Sequence, residues 1–413
     1  MWIKGIDMIF KNEEKILEFL EKHLTVIVFL IAIIFNVATR YSMRNFTNLD
    51  LMNPLTRWYN EIKAAGGFAG LAQEPTDCSY NIPYLTLIAI FTYLPGGHIF
   101  WYKTSSGICD FIQAFAVAKI VYDLAKTNKL NKAAIAFVVA ISSPLVLLNS
   151  AGWGQCDSVY AAFIMLALLF LHEEKYKTSF LMVGIGLGFK LQAIFILPVF
   201  LFYYFYKKKF SIVYFAIIPV VMEIMSIPAI IAGRGVFDVF TKYMHQVDWY
   251  PTMAKNYPTF WTLLTNLHTV ENYYVLKTMA VTTTILIIGC VMYAVIYKKV
   301  ELNYENLLRL AFITCFTCSV FLPGMHERYA YLAEILGMVM IFIDWKFIPF
   351  VIGMNATTLA TYGDFLFNHQ TLEDYTFLAW VNVTVYVGMV LMSCYQMFIK
   401  PASVEANKIN LEN

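Results

Sequence analysis

The sequence predicts an all-α polytopic membrane protein, on three observations. Hydrophobic residues make up 59% of the 413-residue chain and charged residues only 14%. Mean hydropathy is +0.61, a balance that cannot be wrapped into a water-soluble globule. Apolar windows long enough to cross a hydrocarbon core of roughly 30 Å, about 20 helical residues each, recur from end to end.

Taken in chain order, the first 23 residues, "MWIKGIDMIFKNEEKILEFLEKH", hold apolar positions at helical spacing with Lys and Glu between them and no small-residue cleavage site after them. They read as a cytoplasmic interfacial helix and not as a signal peptide. Spans are expected near 24–43, 107–125, 133–150, 156–173, 177–189, 191–206, 210–232, 272–297, 305–323, 329–344, 346–362 and 379–399. That is about twelve transmembrane helices in a single domain, 1–413, with no repeat or linker. The short loops carrying Lys126, Lys129 and Lys132, Lys175 and Lys177, Lys207 to Lys209, and Lys298 and Lys299 are assigned to the cytoplasm, and so, by parity, are both termini.

Two exterior segments, 44–106 and 233–271, are longer than a connection needs, so the working face is expected outside the cytoplasm. The first contains "NPLTRWYNEIKAAGGFAGL", an amphipathic helix closed by Gly66 and Gly67 and suited to lying along a membrane surface. It continues into "YNIPYLTLIAIFTYLPGG", apolar but ended by Pro95 and Gly96. Counting this run as a span would put the Lys-rich loops outside, so it reads as a helix lying in or under the loop. The seven cysteines, including the Cys315 and Cys318 pair, lack metal-ligand spacing and read as packing residues.

Ionisable groups at a membrane boundary cost free energy that partners or function must offset. Asp50, Asp157, Lys190, the triplet His326-Glu327-Arg328, and Glu223 stand out. Each has a structural alternative: capping for Asp50 and Asp157, snorkelling for Lys190, a local ion-pair cluster for the triplet, and helix packing for Glu223. No phosphate-binding Gly-rich loop, GxGxxG, HExxH or DxD pair occurs, so neither a nucleotide substrate nor a nucleic-acid partner is expected.

The ordered set "RWYNEIKAAGGF", "YNIPYLTLI", "NSAGWGQCDSVY", "GFKLQAIF", "NYPTFW" and "PGMHERYAY" resembles the GT-C superfamily of integral membrane glycosyltransferases. Within it, the likeness is to bacterial mannosyltransferase-like proteins related to the enzyme that adds the second mannose of the glycosylphosphatidylinositol anchor. The resemblance implies a GT-C-like fold, a catalytic carboxylate in the first exterior loop, and surface-lying helices before the second span. It implies Asp50 as general base, although Leu51 stands where the family usually has an aromatic, so Glu74 and Asp77 stay as alternatives.

The implied reaction moves a hexose, mannose first, from a polyprenyl-phosphate donor to a glycan, glycolipid or cell-wall polymer acceptor with inversion. It needs no cofactor and no metal, and it takes place on the extracytoplasmic face of a plasma membrane, bacterial by resemblance. Arg328, then Lys190 and His326, would hold the departing phosphate, because cationic donors there favour the transition state over the ground state. Trp153, Gln155, Asp157 and Glu327, together with His245, Asp248 and Trp249, would meet the sugar or the acceptor. The main alternative is a transporter or flippase of lipid-linked sugars, which would place its charges near the midplane of two related halves.

Overall fold

The computed structural model describes residues 11–246, 249–264, 272–367 and 374–399. They are almost entirely helical. α1 (Lys11–Ser42) is followed by α2 (Thr56–Ala64), α3 (Ile82–Phe91), α4 (His98–Leu124) and α5 (Lys129–Ser142). A short α6 (Pro144–Leu147) leads to α7 (Asp157–His172), α8 (Tyr176–Phe189), α9 (Leu197–Lys207), α10 (Ile217–Ala232) and α11 (Asp238–Gln246). The remainder is α12 (Tyr273–Tyr297), α13 (Tyr304–Phe321), α14 (Tyr331–Ile343), α15 (Ile348–Phe367) and α16 (Thr376–Phe398). Two short strands, β1 (Ala254–Lys255) and β2 (Met325–His326), pair in parallel.

α1 corrects the expected division at residue 23. From Lys11 it runs unbroken for 32 residues, because no Gly or Pro interrupts this stretch of strong helix formers. The interfacial helix and the span are one rod over the described residues. α4 likewise begins at His98, inside the expected loop 44–106, because Lys103 and Asp110 interrupt the apolar window without interrupting the helix. The first long connection therefore covers only residues 43–97.

The amphipathic helix of that connection forms as expected. α2 buries Trp58, Tyr59 and Ile62 and is followed by Gly66 at φ +92°, a left-handed conformation that glycine adopts without penalty. α3 also matches its reading. Asn81 caps it by accepting from the Ile82 N–H at 2.8 Å. Its 10 residues reach only about 15 Å, too short to cross a bilayer, and it lies against α8 and α10.

Not every one of the twelve windows is by itself a long apolar helix. Among the described residues, four helices are long and apolar enough to cross a membrane: Glu13–Asn45, Ile212–Ala232, Tyr273–Tyr297 and Thr376–Phe398. A fifth arises if Lys129–Ser142 and Pro144–Trp153, bent by 45°, act as one. Most other windows fall on helices that are shorter, such as α7, α8 and α14, or that carry charge, such as α4 and α13.

α7 is the centre of the core. It is buried along nearly its whole length and packs against α4, α8 and α14. The "VGIGLGF" sequence of α8 explains how that helix fits between α7 and α10. A Cβ on Gly184 would stand 2.8 Å from Val221 Cβ and 3.1 Å from the Ile218 carbonyl oxygen, both on α10. One on Gly186 would meet the Tyr160 carbonyl oxygen of α7 at 3.2 Å. Small residues on both faces let three helix backbones approach closely. All seven cysteines are free; Cys78, Cys156, Cys315 and Cys318 are buried in packing positions, whereas Cys290 is exposed.

Gly184→Leu is expected to destabilise the protein by about 1–3 kcal/mol through overpacking, read as a lower thermal midpoint in detergent. Gly188→Ala should change it little, because its Cβ would meet the flexible Met225 side chain, with Sδ at 3.1 Å. Equal midpoints for wild type and Gly184→Leu would contradict the α8–α10 contact.

Candidate active site

The site begins at Asp50. Its backbone N–H and that of Leu51 donate to Asn48 Oδ1 at 3.1 and 3.2 Å, so the capping role considered for Asp50 belongs to Asn48. The Asp50 carboxylate is free to turn elsewhere. Its Oδ2 accepts from Trp153 Nε1 and from Gln155 Nε2, each at 2.8 Å. Arg328 NH1 lies 3.7 Å from the same oxygen. The side chain remains 24% exposed, which leaves this carboxylate reachable.

Both flanks of this contact are irregular backbone. A π-helical turn, Leu51–Leu55, follows Asp50, and a second, Leu148–Trp153, delivers Trp153 and Gln155. Single π turns recur at functional sites because they re-aim side chains that a regular helix would distribute evenly. Gly154 completes the second turn at φ +74°, and a Cβ there would stand 2.8 Å from Leu51 Cδ2. "AGWGQCD" therefore needs its second glycine for two reasons, a left-handed backbone and contact with the residue beside Asp50.

Asp157 and Lys190 form a fully buried pair, and Asn149 Nδ2 donates to Asp157 at 3.0 Å. The snorkelling alternative for Lys190 is excluded, since its ammonium points inward to Asp157. Arg328 joins the network, with Nε 3.9 Å from Asp157 and NH1 2.8 Å from Glu327. Burial pushes the Glu327 carboxyl above the usual carboxylate range, with Arg328 opposing it. The β1–β2 pairing, Lys255 opposite His326, holds the "MHER" segment in place, and this strand contact was not visible in the sequence.

Three expectations change. Trp153 is fully buried, stacked on Phe365 with ring centroids 4.2 Å apart and with Arg328 5.1 Å from its ring. It offers no open face to a sugar, and its N–H orients Asp50 instead. Asp157 and Glu327 are likewise buried against cations, so they brace Lys190 and Arg328. For His326, burial, with Arg328, Lys255 and Lys190 nearby, holds the imidazole well below the ordinary value, which favours the neutral ring in the unliganded protein.

A cavity of about 280 Å³ adjoins this network. Its polar wall includes Lys190, Lys277, His326 and Arg328, its apolar wall Phe195 and Leu322, and no carboxylate occurs among its described lining residues. The acids stand behind the cations, so the cavity presents positive charge beside apolar surface. A second cavity, of about 580 Å³, shares Tyr80 and Trp249 with the first and is lined by Glu74, Arg234, Lys242 and His245. His245 thus lines only the second cavity, Trp249 lines both and shares the first with Arg328, and Asp248 lies outside the described residues. Glu74 is paired with Lys242, and Asp77 lies 3.4 Å from Arg57. Neither is joined to Arg328.

The model of glycosyltransferase family 87 matches residues 79–323, more than half of the chain. The chain belongs to glycosyltransferase family 87. This is a GT-C-type family, and the protein is a membrane glycosyltransferase. No curated protein matches it. The family 87 match holds Trp153, Gln155, Asp157, Lys190, His245 and Trp249, whereas Asp50 and residues 326–328 lie just outside it.

Sequence reasoning missed Tyr80, whose hydroxyl donates to Gln155 Oε1 at 2.6 Å, and the cavity-lining Lys277. Tyr80 stands in the quoted "YNIPYLTLI". Lys277 carried a weaker signal, a lone lysine near the start of an apolar window.

Gly154→Ala should lower the thermal midpoint, corresponding to a loss of about 1–2 kcal/mol or more from the left-handed backbone alone. Leu51→Ala, which opens a cavity of its own, should cost less in the Gly154→Ala background than in wild type because it also relieves the clash; equal costs in the two backgrounds would refute that contact. His326 gives a pH test. Its pKa falls on folding, so below about 6.5 the unfolded chain binds a proton that the folded chain refuses. Stability is full above that pH and is lost as pH falls, at up to about 1.4 kcal/mol per unit. His326→Asn should gain on wild type as the pH is lowered from about 7.5 to 5; a constant difference between the two would show an ordinary imidazole.

Proposed function

We propose that this family 87 protein transfers a hexose, mannose in the first instance, from a polyprenyl-phosphate sugar donor to a hydroxyl on a glycan, glycolipid or cell-wall polymer. The transfer proceeds with inversion at the extracytoplasmic face of a bacterial plasma membrane. The observation that carries the reading is the cavity wall of Lys190 and Arg328 beside apolar side chains, with no carboxylate among its described lining residues. A lipid phosphate matches both halves of that wall, phosphate on cations and isoprenoid on apolar surface.

In this reading Asp50 is the general base. Trp153 and Gln155 hold one carboxylate oxygen, leaving the other for the acceptor hydroxyl. As the acceptor oxygen bonds to the anomeric carbon, its proton passes to Asp50 and the bond from that carbon to the phosphate oxygen breaks. The departing phosphate gains negative charge, which Arg328, Lys190 and Lys277 stabilise more in the transition state than in the ground state. His326 contributes a neutral contact. These side chains supply the positive charge that a metal would otherwise bring, so no metal is required. The acceptor occupies the second cavity, against Trp249 and His245, and the Tyr80–Gln155 hydrogen bond links that cavity to Asp50.

Purified protein supplied with radiolabelled polyprenyl-phosphate sugars should show EDTA-insensitive transfer. Asp50→Asn should lower kcat by about 10²–10⁴-fold, the range for a lost general base, with donor KM nearly unchanged. Arg328→Ala should raise KM and lower kcat together. Transfer at wild-type rate by Asp50→Asn would remove Asp50 as the base. Movement of labelled donor across proteoliposomes without any transfer would replace the enzyme reading with a flippase.

A further inference from the structure

A separate groove of about 230 Å³ opens between the end of α1 and the start of α4. Arg40, Tyr41, Arg44, Phe100, Lys103 and Phe111 form most of its wall, and no carboxylate and no residue of the catalytic cavity lines it. Arg40 is already neutralised, its NH2 lying 2.7 Å from the buried Asp110. Arg44 and Lys103 are different. Arg44 donates to the Tyr41 carbonyl at 2.9 Å and lies 4.0 Å over the Tyr41 ring. Lys103 donates to the carbonyls of Met43 and Phe46 at 2.7 and 2.6 Å. Backbone carbonyls and a ring face orient these cations but leave their charge uncancelled.

The groove also adjoins a candidate membrane span. It lies at the far end of the candidate span Glu13–Asn45, of whose apolar window only 11% is buried inside the protein. Ile34 and Val37 on α1 are 68% and 53% exposed, and Ile108 and Phe115 on α4 are 57% and 51% exposed. Apolar surface of this kind faces acyl chains, and cations at its edge meet headgroup phosphates.

We propose that this groove binds an anionic phospholipid, with its phosphate on Arg44 and Lys103 and its acyl chains along the exposed faces of α1 and α4. Two uncancelled cations at the hydrocarbon edge are costly alone, and a lipid phosphate offsets that cost. A zwitterionic headgroup does so less well, because its own ammonium must be placed against a wall that has no acid. The site is independent of the transferase reading.

The test is native mass spectrometry of the full-length protein in detergent, titrated with phosphatidylglycerol or phosphatidylcholine of matched chains. Phosphatidylglycerol should bind preferentially at one site. Arg44→Ala should weaken it about fivefold, equivalent to the ~1 kcal/mol one cation contributes near a lipid surface, and leave phosphatidylcholine unchanged. Arg44→Lys should keep most of the preference, whereas Thr104→Trp, which fills the groove, should abolish it with the thermal midpoint retained. Equal affinity for both lipids would overturn the proposal, and so would unchanged phosphatidylglycerol binding in both Arg44→Ala and Thr104→Trp. Displacement by glycerophosphate as effectively as by the whole lipid would also overturn it.

Discussion

Arg328 is the residue on which the site depends, because three carboxylates converge on it. Asp50, Asp157 and Glu327 lie 3.7, 3.9 and 2.8 Å from its guanidinium, and Asp157 is shared with the buried Lys190. Removing one partner from such a buried network leaves an uncompensated charge, which costs more than the pair itself contributes. The segments carrying these residues are therefore held together by mutual necessity. The small β1–β2 ladder and the two π turns then set the angles at which they meet.

That arrangement is placed where a membrane protein can tolerate it. Non-helical backbone within an apolar environment is stable only when other protein covers it or when it lines a cavity. The left-handed Gly154 packs on Leu51, Trp153 lies between Phe365 and Arg328, and the "MHER" segment pairs with β1. The wall facing the cavity is cationic because the acids have been drawn behind it into these contacts. An anion entering the cavity meets the cations first.

Much of this was legible in the sequence, for physical reasons that can be stated. Composition and window length are enough for an all-α membrane chain, and charges in apolar sequence are rare enough that Asp50, Asp157, Lys190 and Arg328 stood out individually. Their convergence could only be posed as a question, since it depends on packing between segments distant in the chain. The direction of Trp153 was misread because a tryptophan between glycines looks open, and the stacking Phe365 lies more than 200 positions later. His326 was counted as a cation by residue type, but its charge state depends on burial and on Lys255, which arrives through strand pairing. Hydropathy also does not separate a helix buried in protein from one exposed to lipid, so an apolar window such as that of the core helix α7 predicts the helix without its surroundings.

The geometry also suggests why one arginine serves both base and leaving group in the proposed reaction. Before a donor arrives, Arg328 NH1 lies 3.7 Å from Asp50 Oδ2. A donor phosphate competes for the same guanidinium, and more strongly as the sugar–phosphate bond breaks and charge collects on the phosphate. Each step that draws Arg328 towards phosphate moves it away from Asp50 as the acceptor proton must leave. Trp153 and Gln155 keep the carboxylate aimed during that exchange, because both donate to the oxygen nearest Arg328. One guanidinium thus passes from base to leaving group in the proposed reaction, which couples proton transfer to departure of the lipid phosphate.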